Sequence, residues 1–117
     1  MAPWPTELHL KRAERILEIA FDDGLRFALP AELLRVESPS AEVRGHNAAE
    51  RRIPGGKRGV GIDAVEPVGH YAVRLRFDDG HDSGIYTWVF LRELGQTQDE
   101  RWAAYHAALA ERGLSRD

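Results

Sequence analysis

The fragment Phe-Asp-Asp-Gly occurs twice in this chain, at Phe21 to Gly24 and at Phe77 to Gly80. Each copy follows an alternating apolar run, Ile16, Leu17, Ile19 and Phe21 in one case and Tyr71, Val73, Leu75 and Phe77 in the other. Each also precedes a second short run, Leu25 to Leu29 and His81 to Ile85. Asp-Gly between two such runs is a hairpin signal, because Gly takes positive φ at little cost and the Asp side chain caps the turn. Both copies then enter a helix-like apolar pattern, Pro30 to Arg35 and Thr87 to Leu94, so the unit reads strand, turn, strand, helix twice over. The copies differ after the turn: Leu25 stands in the first and His81 in the second, which continues Asp82-Ser83-Gly84-Ile85-Tyr86-Thr87-Trp88.

The rest of the chain fits around this skeleton. Residues 1–6 read as a proline-bearing tail, with Trp4 folding back onto the body. Leu8 and Leu10 alternate with polar neighbours as an edge strand does. Ser38-Pro39-Ser40 breaks the pattern, and a polar stretch from Ala41 to Gly61 is the longest loop, carrying Arg44, His46, Arg51, Arg52, Lys57 and Arg58. Val60, Ile62, Ala64 and Val65 predict a strand running into Pro67. Thr97-Gln98-Asp99-Glu100 matches a capping box, followed by a helix over 98–111 with Trp102, Tyr105 and Leu109 on its apolar face and Gly113 as its stop. The expected architecture is α+β: a small antiparallel sheet built from two Asp-Gly hairpins and an edge strand, with short helices and a C-terminal helix within 97–113. No strand-helix-strand crossover is evident, and 117 residues make one domain.

Composition narrows the function. Sixteen Lys and Arg against 19 Asp and Glu give a net charge of -3, without the clustered positive charge that nucleic-acid binding needs. There are no cysteines, which removes disulfides, thiolate metal sites and Cys nucleophiles. No apolar run approaches the roughly 18 residues of a membrane span, and the start lacks a leader pattern, so a cytoplasmic protein is expected.

Two clusters could carry chemistry. Asp78, Asp79, His81 and Asp82 gather at the second turn, where a His beside carboxylates is a metal ligand or general base in many sites. The first copy has Asp22 and Asp23 without a His, so turn formation alone accounts for the aspartates. His81 replaces an apolar residue of its twin and reads either as part of a polar pocket, with Tyr86, or as a buried hydrogen-bonded His. The loop Ile53-Pro54-Gly55-Gly56-Lys57-Arg58-Gly59 offers glycine N–H groups beside cations, as anion cradles do. It is not a Walker motif, because Arg58 stands where a Ser or Thr would hold magnesium. Arg44, His46, Lys57, Arg58, His81 and Tyr86 are the candidate ligand-binding residues. No nucleophile, base and orienting group can be placed together, so no catalytic residue is assigned.

The segments Ser40-Ala41-Glu42-Val43-Arg44-Gly45-His46 and Phe77 to Trp88 strongly resemble the gamma-butyrobetaine hydroxylase-like N-terminal domain family, in its bacterial stand-alone form of unknown function. The likeness spans about Leu8 to Gly95. In that family the domain precedes the oxygenase domain of carnitine-synthesis enzymes, and a relative occurs at the end of some P-loop iron-sulfur carriers. The oxygenases hold a structural zinc there with Cys-x-Cys-x-x-Cys after a Leu-Arg pair and one later His. Carried onto Leu34-Arg35, the resemblance puts Ser38, Ser40 and Val43 at the thiolate positions and His81 at the fourth. A Ser hydroxyl is a poor zinc donor and Val is none, so the resemblance implies the fold without the metal. It further implies a non-catalytic module with no cofactor that binds another protein or a copy of itself, the partner class being an iron-dependent oxygenase or an iron-sulfur assembly factor. Anion or small-molecule binding by the basic loop and His81 is the competing expectation.

Overall fold

The computed structural model describes residues 4–40 and 53–117. The first half holds three strands, β1 (Pro5–Lys11), β2 (Ile16–Phe21) and β3 (Arg26–Pro30), and the helix α1 (Ala31–Val36). The second half repeats the order with β4 (Ile62–Val68), β5 (Ala72–Phe77), β6 (Gly84–Thr87) and α2 (Trp88–Gln96), and adds α3 (Gln98–Glu111). The strands form two antiparallel sheets, ordered β1-β2-β3 and β4-β5-β6, with no strand shared between them. This is the α+β architecture that the hairpins imply, split into two sheets instead of one. The first strand starts at Pro5, inside the stretch expected to be a tail, because the Trp4 carbonyl accepts from Asp22 N–H at 2.8 Å.

The two hairpins match in detail. In each, Phe N–H donates across the turn, from Phe21 to Leu25 O and from Phe77 to His81 O, both at 2.9 Å. Gly24 and Gly80 take φ of 89° and 91°, the left-handed region that only Gly enters cheaply. The pairings Leu8 with Ile19 and Val65 with Leu75 are equivalent, and an irregularity follows Pro5 in β1 and Ile62 in β4 alike. Both helices are entered the same way: Ala31 N–H donates to Arg15 O and Trp88 N–H to Tyr71 O.

Inward residues of both sheets meet in one buried cluster, with Leu17, Ile19 and Leu29 from one side and Val73, Leu75 and Tyr86 from the other. Leu33, Leu34, Leu91 and Leu94 close it from the helices, and each such fully buried side chain stabilises by roughly 1.5–3 kcal/mol. α3 spans 98–111 as its periodicity predicts, burying Tyr105 and Leu109. The expected capping box does not form. Thr97 donates its hydroxyl to Glu93 O at 2.7 Å, in the last turn of α2, and its Oγ1 accepts from Arg101 Nε at 2.8 Å instead of from an amide at the start of α3. After α3, Ser115 O accepts from Gly56 N–H, Arg116 O accepts from Arg58 N–H, and the Arg116 guanidinium grips buried Glu32 of α1 through both carboxylate oxygens at 2.6 and 2.8 Å.

Candidate functional site at the second hairpin

His81 follows the β5–β6 turn outside any strand and is buried, with 4% of its surface exposed. Its Nε2 and Ser38 Oγ are joined by a hydrogen bond of 2.8 Å, and Ser38 Oγ also accepts from Ser40 N–H at 3.3 Å. Ser40 and Ser83 hydroxyls are joined at 2.7 Å. Gly84 makes this approach feasible: a Cβ there would lie 2.6 Å from Ser38 Oγ and 3.0 Å from the Tyr86 ring. Tyr86 is fully buried and its hydroxyl donates to Leu34 O.

Asp79 anchors the rim. It accepts from His81 N–H through Oδ1, closing the turn, while Oδ2 receives Arg35 Nε at 2.7 Å and Lys57 Nζ at 2.6 Å. Burial pushes this carboxyl up, but the bonds from Lys57, the His81 amide and Arg35 outweigh it and hold it at about 2. Arg35 Nη1 is buried and finds no hydrogen-bond partner among the described residues, a cost the two-cation clamp carries.

The first hairpin supplies the counterpart. Arg92 of α2 binds Asp23 through both guanidinium nitrogens, and this contact holds the Asp23 carboxyl below its ordinary value. Thus the helix of each half binds the turn of the other, Arg35 to Asp79 and Arg92 to Asp23. The places equivalent to Ser38 and Gly84 are Gly95 and Phe27, and there the Phe27 ring packs so tightly that a Cβ on Gly95 would fall 2.3 Å from it. One end of the molecule is therefore sealed by an aromatic ring, and the other by a buried Ser–His link.

The candidate ligand-binding residues are scattered over this geometry. His81 and Tyr86 flank Ser38, but both are buried. Lys57 is committed to Asp79, and Arg58 pairs with Asp117 at 2.7 Å. Arg44 and His46 lie outside the described residues. Sequence reasoning assigned the turn aspartates to turn formation alone and missed their arginine partners. The signal was present, since Leu34-Arg35 and Leu91-Arg92 stand at matching places in the two repeats.

A model of the family described as gamma-butyrobetaine hydroxylase-like, N-terminal, matches residues 8–92. The chain belongs to this family. Two solution structures determined by NMR are similar to it. One is 46% identical with a TM-score of 0.86, the match covering 100% of this chain and 92% of that one. The other is 50% identical with a TM-score of 0.84, covering 98% and 86%. A crystal structure of a DUF971-family protein of unknown function from Acidithiobacillus ferrooxidans is 42% identical, with a TM-score of 0.66 and coverage of 78% and 91%. A comparison with curated proteins gave no match.

Membership in the gamma-butyrobetaine hydroxylase-like N-terminal family raises the question of a zinc site at Ser38, Ser40, Val43 and His81. The donor set does not fit: two neutral hydroxyls and a hydrocarbon offer no thiolate, and Val43 lies outside the described residues. Among the described residues no group of three or more His, Asp or Glu side chains is placed to hold a metal.

Proposed function

We propose that this chain is a non-catalytic accessory module that acts by binding another protein, without a structural zinc. The observation that carries the reading is the buried Ser38–His81 bond: among the described residues, the serine and histidine of the second hairpin are turned inward and hydrogen-bonded to each other, as in a structural link. Outside, the segment from His81 to Trp88 presents Ile85, and the adjoining Tyr71 and Val89 are 56% and 63% exposed. Large apolar side chains held outward, Ile85 on β6, Val89 on α2 and Tyr71 in the turn before β5, suit protein contact better than capture of a small anion. Family membership supports an iron-dependent oxygenase or an iron-sulfur assembly factor as the partner class, through fold analogy alone.

The test is capture from the native host with the wild-type chain and with Ile85→Asp/Val89→Asp, each checked for an unchanged fold. Retention of an iron-enzyme or iron-sulfur protein by the wild type and its loss with the variant is the expected result. Equal recovery by both would refute the surface. Elemental analysis is expected to find no stoichiometric zinc, and one zinc per chain would overturn that part of the reading.

A further inference from the structure

Among the described residues, every backbone–backbone hydrogen bond stays within one half of the molecule. The sheets pair only consecutive strands, and each turn and helix entry is closed by its own half. What crosses between residues 4–40 and 53–117 is side-chain contact: the shared apolar cluster, the Arg35–Asp79 and Arg92–Asp23 pairs, Phe27 on Gly95, and Ser38 on His81. The crossing contacts are reciprocal, helix of one half to turn of the other. A surface of this kind does not distinguish a half of the same chain from the equivalent half of a second copy.

We infer that two copies of this chain exchange halves to form a two-fold symmetric, domain-swapped dimer, each first half completing its core on the second half of its partner. Among the described residues exchange breaks no sheet, since no strand is shared, and it recovers the crossing contacts named above, at a cost in association entropy.

The ion pairs make the exchange testable on the full chain. Asp23→Arg alone sets two arginines against each other, and Arg92→Asp alone sets two aspartates together. In a swapped dimer formed from one copy of each, the two substituted positions meet in one unit as a charge-reversed pair, and the natural Asp23–Arg92 pair returns in the other. The two variants, unfolded separately or as an equal mixture and refolded, are followed by size exclusion and native mass spectrometry. The expected result is a mixed dimer in the mixture alone, with a thermal midpoint above that of either variant. A mixture holding only monomers at the variants' own midpoints would overturn the inference. Should either variant fail to fold, two mass-distinct wild-type preparations serve: mixed-mass dimers after joint refolding support exchange. Monomers alone, or dimers that form equally when the preparations are mixed after refolding, refute it.

Discussion

Removing the Ser38 hydroxyl isolates the contribution of the buried polar link. Ser38→Ala deletes the partner of His81 Nε2 at 2.8 Å and the acceptor for Ser40 N–H at 3.3 Å, in a place where Ser38 has no exposed surface and His81 has 4%. An unsatisfied buried polar group costs about 1–3 kcal/mol. His81→Leu keeps most of the volume but removes the 2.8 Å partner of the Ser38 hydroxyl, at a similar cost of about 1–3 kcal/mol. The double variant removes both sides of the Ser38–His81 bond, a change that is nearly neutral in itself, and loses beyond it only the 3.3 Å acceptor of Ser40 N–H. The two losses should therefore fail to add, with a coupling of about 1–2 kcal/mol. Urea unfolding followed by tryptophan fluorescence reads each free energy, and each kcal/mol should appear as roughly 4 °C in the thermal midpoint. Single variants within about 0.5 kcal/mol of wild type, the range of inert surface changes, or losses that simply add, would refute the reasoning.

The remaining expectations follow from the same geometry. Gly95→Ala forces a Cβ to 2.3 Å from the Phe27 ring and should cost about 1–3 kcal/mol by thermal unfolding, recovered in part by Phe27→Leu. Tyr86→Phe removes the donor to Leu34 O and should lower stability by about 1–2 kcal/mol in the same assay. Asp79 sits at about 2 in the folded chain against an ordinary 3.8, so its stabilisation is complete above that ordinary value and is lost as pH falls toward 2. Asp79→Asn should therefore cost about 1 kcal/mol at neutral pH, after discounting for solvent screening, with the gap to wild type closing in the acid arm of a stability-pH profile. A gap that persists unchanged at pH 2 would show that the charge is not the cause.

The hairpins and α3 were legible because their signals are local. Asp-Gly fixes a turn from two adjacent residues, and Trp102, Tyr105 and Leu109 mark a helix face by spacing alone. The end of α2 was less legible, since Thr97 could serve either helix and the choice was made by its bond to Glu93 O. His81 was expected at the start of a strand but lies before it, because the turn takes its N–H for Asp79 and its carbonyl for Phe77. The reciprocal arginines were not legible from composition or periodicity. Asp23 and Asp79 already had a sufficient local role, and only the packing of the two halves brings Arg92 and Arg35 to them.

The residues after α3 tie three separately encoded pieces together: the Gly56–Arg58 strip through backbone bonds, α1 through Glu32, and the Trp102 ring beneath the Arg116 guanidinium at 5.5 Å. A handle or neighbouring protein fused directly behind Asp117 accordingly leaves the body beside that basic strip with almost no slack. Spacer length at that junction governs how far the attached cargo loosens the strip and, through Lys57, the carboxylate that closes the second turn.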